Sequence, residues 1–183
     1  MKLLIMGPPG AGKGTQAKIL AKKFDLVHLS TGDILRSEID KASEVGLKAQ
    51  TYMNAGNLVP DEILLEMMQL TLKELQDSGV ILDGFPRTLP QAKSLETLDQ
   101  EFPVAKVFVF EVNEDELIKR ILLRGEMTGR SDDTEDSIKV RFEVYKKDTQ
   151  PLVDFYNEKN LVKVIDAFGE VEDIYNSISR HFK

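Results

Sequence analysis

Apolar positions along this chain follow two alternating rhythms. Short continuous runs rich in Leu, Ile, Val and Phe occupy residues 2–6, 26–29, 80–82, 104–112 and 161–165, and each reads as a strand buried on both faces. Amphipathic stretches between them predict helices over 13–24, 60–75, 114–123, 134–156 and 171–182. Local punctuation supports two of these. Pro60, Asp61 and Glu62 suit the first turn of a helix that stops before Gly79, and Asn113 can cap a helix whose first turn carries Glu114, Asp115 and Glu116. Strand and helix alternating in this way predict an α/β fold, a five-stranded parallel sheet covered by helices on both faces. Ligands of such sheets bind beyond the carboxyl ends of the strands.

Two stretches break the rhythm. About fifty residues separate the second strand from the third, more than one crossover helix needs, so residues 30–59, with Gly32, Gly46 and Gly56 as breaks, are expected to form a small helical insertion. Residues 125–133, polar and marked by Gly125 and Gly129, have the length of a mobile flap. The chain of 183 residues is then one domain, with a core of 1–29, 60–124 and 134–183.

Composition narrows the function classes. A net charge of −7 argues against non-specific binding to nucleic acid or anionic membrane, so any anion site must be local. With no cysteine and two scattered histidines, neither a disulfide framework nor a structural zinc site is expected. No apolar stretch approaches a membrane span, and residues 2–6 already read as a core strand, which leaves no room for a signal peptide. A cytoplasmic protein is the resulting expectation, and the short flap and acidic surface make a monomer the default.

The chemistry begins where the first strand stops. Gly7-Pro-Pro-Gly10-Ala11-Gly12-Lys13-Gly14-Thr15 opens a helix, and such a loop turns backbone N–H groups inward around a polyphosphate while Lys13 supplies a point charge. Gly14 stands where a hydroxyl residue usually reaches magnesium, and the hydroxyl comes one position later at Thr15. Asp83 ends the third strand, at the same sheet edge, where a carboxylate can hold magnesium directly or through water. Asp83-Gly84 could instead be a hairpin turn, a reading weakened by Pro86 and Pro90 just beyond.

Arg120, Arg124, Arg130 and Arg141 crowd around the flap, either as an anion clamp or paired with Glu116, Asp132, Asp133 and Glu135 on a solvated surface. Asp132 and Asp133 can orient the arginines or cap the helix that follows. Ser30-Thr31-Gly32-Asp33 has capping-box spacing, and Thr31 and Arg36 lie where a helix start can also meet an anion. His28 reads as a packed strand residue. Met67, Met68, Phe155 and Tyr156 read as packing.

The loop through Gln16, the run from Ser30 to Arg36, Gly56-Asn57-Leu58-Val59-Pro60-Asp61 and Asp83-Gly84-Phe85-Pro86-Arg87-Thr88 strongly resemble adenylate kinases, in their short-lid form. The resemblance extends through Arg124 to Arg141 and Gly169. It implies a fold of the P-loop nucleoside triphosphate hydrolase type, residues 30–59 as an AMP-binding insertion and 125–133 as a short lid. It implies the reaction ATP + AMP = 2 ADP, with magnesium accompanying ATP and with ATP, AMP and ADP as the partners. Gly10, Ala11, Gly12, Lys13, Gly14, Thr15, Arg124 and Gly169 would bind ATP. Thr31, Arg36, Asn57, Leu58, Val59, Gly84, Phe85, Pro86, Arg87, Gln91, Arg130 and Arg141 would bind AMP. Lys13, Arg87, Arg124, Arg130 and Arg141 would carry catalysis, with Asp83 near magnesium.

Three rivals remain at this level. A UMP or CMP kinase shares the architecture, but Gln91 can pair with an adenine edge through both its donor and its acceptor, and pyrimidine kinases usually carry Asn there and at the position of Thr88. A GTP switch would show an Asn-Lys-x-Asp motif, which the chain lacks. A catalytically dead scaffold would not need the full set of Lys13, Asp83 and arginines.

Overall fold

The computed structural model describes residues 1–75, 78–98 and 103–182. Five strands, β1 (Lys2–Met6), β2 (Val27–Ser30), β3 (Val80–Asp83), β4 (Val104–Glu111) and β5 (Val162–Asp166), form one parallel sheet in the order β2-β3-β1-β4-β5. The central strand β1 is buried along its whole length, which is why its sequence runs apolar without alternation. Its residues still sort by face. Leu3 and Ile5 pack with Phe108 and Phe110 against α1 (Lys13–Phe24), α6 (Glu114–Thr128) and α9 (Val171–Ser179), while Leu4 and Met6 pack with Leu82 and Val107 against α4 (Asp61–Glu74), α5 (Leu89–Leu98) and α8 (Pro151–Asn157). The chain leaves β1 towards β2 at one edge of the sheet and leaves β4 towards β5 at the other, so the strand order reverses between β1 and β4 and a crevice opens at their carboxyl ends.

The insertion is two helices, α2 (Thr31–Asp40) and α3 (Glu44–Asn54). Ser30 and Ser43 cap them, accepting from the N–H groups of Asp33 at 3.3 Å and Gly46 at 3.0 Å. Gly32 and Gly46 are therefore not breaks. Gly46 is where the two helices touch, since a Cβ there would lie 2.1 Å from the carbonyl oxygen of Glu38. Leu35, Ala49, Val59 and Leu64 form a small core of their own beneath the pair.

Three other expectations change. Helix α6 does not stop at Leu123 but runs through Gly125 to Thr128, with Gly129 as its left-handed C-cap, so part of the expected flap is helix. The single helix expected over 134–156 is divided into α7 (Glu135–Val144), a π-helical turn (Tyr145–Thr149) and α8. Pro151 supplies the reason: its ring lacks an N–H and crowds the carbonyl four residues back, and just ahead of it Gln150 N–H bonds the Tyr145 carbonyl at 2.8 Å, a five-residue span. Helix α5 was not expected at all, because Pro86 and Pro90 read as barriers to a strand; a proline in a first helical turn forfeits no bond.

Tyr156 on α8 is fully buried and its hydroxyl has no hydrogen-bond partner among the described residues. Tyr156→Phe should therefore be neutral or gain about 1 kcal/mol, because it removes an unsatisfied buried hydroxyl at constant shape. Chemical denaturation measures this, and a loss beyond about 1 kcal/mol would show that the hydroxyl is satisfied in solution.

Candidate active site

Beyond Met6 the chain turns through Gly10 and Gly12 at φ 81° and 84°, values that favour glycine, and enters α1 with no side chain capping it. The N–H groups of Lys13, Gly14 and Thr15 precede the first intrahelical bond, from Gln16 to Gly12, and the helix's own first turn carries no acidic residue to compete for them. They and the helix dipole make an anion nest. Lys13 folds back over it, its Nζ donating to the carbonyls of Gly7 and Pro8 at 2.8 Å each.

Asp83 stands beside this loop because β3 pairs with β1, placing Asp83 opposite Ile5. A Cβ on Gly14 would lie 3.2 Å from Asp83 Oδ2, so glycine keeps the two elements close. His28 on β2 reaches the same oxygen with Nε2 at 3.4 Å. Burial works to raise the Asp83 pKa, but the His28 hydrogen bond and the Lys13 charge outweigh it and hold the carboxyl below its usual range. Lys13 is pushed down to about 7, first by burial and then by Arg87, Arg141 and Arg124, with Asp83 opposing them.

The arginines arrive from four elements. Arg87, after β3, is fixed by Nε donating to the Gly84 carbonyl at 2.7 Å. Arg124 on α6 grips Asp133 with two bonds, 2.8 and 2.7 Å, and Arg141 on α7 reaches the same carboxylate at 2.8 Å and the Asp132 carbonyl at 3.0 Å. The Asp133 side chain is fully buried. Burial would raise its pKa, yet the bonds and charges of Arg124 and Arg141 prevail and lower it. The competing reading of Asp132 and Asp133 as caps falls away: Thr134 caps α7 itself, in a reciprocal box with Ser137. On the facing insertion Asp33 pairs with Arg36, and Arg130 approaches Asp33 at 3.5 Å. Ser131 donates to Asn54 at 2.9 Å, so the segment after α6 touches the insertion directly.

One cavity of about 590 Å³ joins these parts. The phosphate loop lines it together with Thr31, Arg36 and the run Asn57 to Val59 from the insertion, and with Asp83, Arg87, Arg124, Arg130 and Arg141. Arg120 lines it too, held by Glu116 at 3.1 Å and the Ala167 carbonyl at 3.4 Å.

Comparison with known proteins agrees with this geometry. The family model described as adenylate kinase matches residues 5–161. This chain belongs to the adenylate kinase family. An adenylate kinase of Prochlorococcus marinus (strain MIT 9211) is 48% identical over 94% of this chain and 92% of its own length. Similar proteins of the same name occur in Porphyromonas gingivalis (strain ATCC BAA-308 / W83), 43% identical over 95% of this chain and 91% of theirs, and in Leptospira biflexa serovar Patoc, 43% identical over 97% of both. The chain is thus a nucleotide-binding phosphotransferase. No helix among the described residues is long and apolar enough to cross a membrane.

Of the positions that the adenylate kinase resemblance singles out, Gly10 to Thr15, Arg124 and Gly169 all line the large cavity, as do Thr31, Arg36, Asn57, Leu58, Val59, Arg87, Arg130 and Arg141. Gly84 and Pro86 face a smaller cavity of about 90 Å³ that shares Lys13, Arg87 and Arg141 with it. Phe85 and Gln91 line neither. Phe85 belongs to the core beneath the sheet, and Gln91 is fully buried, its Oε1 accepting from Arg87 N–H at 2.7 Å and its Nε2 donating to Asp61 at 2.5 Å. Met53, Leu35 and Leu64 also line the large cavity but look like ordinary core positions in sequence, and Asp33 lines it too, hidden in its capping motif.

Proposed function

We propose that this chain transfers the terminal phosphoryl group of ATP reversibly to AMP, giving two ADP and keeping the adenine nucleotides in balance. One observation carries the reading: the phosphate nest and residues of the insertion line a single cavity of about 590 Å³, and Arg87, Arg124, Arg130 and Arg141 line it with them. The acceptor's phosphate oxygen is already anionic, so no strong general base is needed; alignment and charge neutralisation are. The loop N–H groups and Lys13 hold the donor phosphates. Arg36 and Arg87 hold the acceptor phosphate, and Arg124, Arg130 and Arg141 neutralise charge on the moving group, their planar forks gripping oxygens bidentately. The insertion 30–59 and the lid 125–133 close over both nucleotides and exclude water.

Among the described residues no three His, Cys, Asp or Glu side chains are grouped to hold a metal. The carboxylate beside the phosphate loop is Asp83, whose Oδ2 lies against Gly14. A carboxylate in that place fits magnesium, which binds through one or two carboxylates and substrate phosphates while keeping several waters. Bound with ATP, magnesium neutralises charge on the transferring phosphate. The protein acts as a cytoplasmic monomer, a state that light scattering of the purified chain checks.

A coupled assay offering ATP or GTP with AMP, CMP, UMP and GMP in turn tests the reading. Fast ADP formation with AMP is the expected result, and turnover of CMP but not AMP would overturn it. Lys13 adds a pH signature. A polyphosphate favours the charged amine, so ATP affinity should be greatest below pH 7 and fall as pH rises through about 7, where Lys13 in the empty site loses its proton. Calorimetry at pH 8 in two buffers should show proton uptake on binding; none would mean that Lys13 is already charged.

A further inference from the structure

Thr149 ends the π-helical turn between α7 and α8, where the helical stretch changes partners. Ile138 and Phe142 on α7 pack with the cluster on one face of the sheet, while Leu152 and Tyr156 on α8 pack with the cluster on the other. A π-helical turn takes in one residue more than an α turn, and such turns recur at functional sites. The use Thr149 makes of its hydroxyl differs from that of other helical threonines. Thr71, Thr97 and Thr128 return theirs to carbonyls three or four residues back, the local bond expected of a threonine in a helix. Thr149 instead donates at 2.9 Å to the carbonyl of Arg87, 62 residues away, from a buried position on the wall of the smaller cavity.

That bond completes a frame around Arg87. Its N–H donates to Gln91 Oε1 at 2.7 Å, its carbonyl accepts from Thr149, and its Nε donates to the Gly84 carbonyl at 2.7 Å. Among the described residues no hydrogen-bond partner takes its two terminal nitrogens, so the frame holds the guanidinium and leaves its outer donors to a ligand. We infer that Thr149 is a positioning residue for phosphoryl transfer, its hydroxyl fixing the Arg87 peptide and thereby the place of the guanidinium that meets the acceptor phosphate. The inference rests on the AMP reading above. A small turn of the peptide is carried along the side chain to its tip, and a displacement of about 1 Å near a reacting group can cost about a hundredfold in rate. The Gly84 bond remains without Thr149, so the expected loss is smaller, about tenfold.

The test compares Thr149→Val, which keeps the shape and removes the hydroxyl, with Thr149→Ser, which keeps the hydroxyl. In the coupled assay with ATP and AMP, the valine variant should lose about tenfold in kcat/KM for AMP while KM for ATP stays within about twofold of wild type. The serine variant should recover all but about twofold of that loss. A further arm adds Thr149→Val to Arg87→Ala. With the guanidinium gone the second substitution should cost less than about twofold, because a residue that acts through Arg87 has nothing left to aim. Thr149→Ala takes the place of the valine variant if that protein does not fold. A folded valine or alanine variant with wild-type kcat/KM overturns the inference, as does the same tenfold loss on the Arg87→Ala background or a serine variant as impaired as the valine one. Wild type that fails to phosphorylate AMP at all would instead sink the parent reading, a separate outcome.

Discussion

Arg87→Ala should lower kcat by about two orders of magnitude or more while leaving the fold in place. Arg87 lines both cavities and its guanidinium is held by the Gly84 carbonyl, so it is already set to meet a phosphate. Such a preset donor acts most strongly where charge develops in the transition state. The contacts that seat the segment are made by other atoms. Thr149 Oγ1 donates to the Arg87 carbonyl at 2.9 Å and Gln91 accepts from its N–H, and both survive truncation. The coupled ATP and AMP assay, read beside thermal unfolding, separates the outcomes: a variant with wild-type Tm and wild-type turnover would remove Arg87 from the clamp.

The phosphate loop and Asp83 were legible in sequence because their chemistry depends on short-range order. Successive glycines and a lysine between a strand and a helix leave the backbone few other uses, and a carboxylate at the end of a parallel strand must emerge at the ligand-binding edge. The insertion was legible by its length. Its internal logic was not: Gly46 looks like a breaker, and only the approach of α2 shows it to be a contact. Similar ambiguity hid α5, since proline weakens a strand and a helix interior but suits a helix start. The arginines were visible as a group, and Glu116, Asp132 and Asp133 among their candidate partners, but which acid holds which arginine was not. Spacing puts Arg120 and Arg124 on one face of α6, yet only the fold shows that Arg120 is tied to Glu116 and Arg124 to Asp133. Gln91 shows the limit most clearly. Its amide suits an adenine edge by composition, and the structure adds that both ends are already engaged, by groups 4 and 30 residues away in sequence.

Asp133 carries the second large effect, through the arginines rather than through substrate. Its buried carboxylate receives three hydrogen bonds from Arg124 and Arg141, so one side chain sets the position of a guanidinium on α6 and another on α7. Asp133→Asn keeps the shape but places an N–H₂ against guanidinium N–H groups. We expect turnover to fall by about one to two orders of magnitude because both arginines lose their aim. Stability should fall by about 2 kcal/mol, below the full cost of breaking a buried pair, because both arginines keep access to the open cavity. The pH dependence distinguishes this from a loss of packing. The Asp133 pKa is lowered in the folded protein, so its contribution is complete above the unfolded value, about 4, and is lost as pH falls through the lower folded value. The gap between wild type and Asp133→Asn in denaturant midpoint should therefore stay constant from about pH 5 to 8 and close under acid. A gap that persisted unchanged to pH 2 would mean that the asparagine disturbs packing and that the ion pairs contribute little; a gap that closes ties the stability of the lid region to the same carboxylate that aims its arginines.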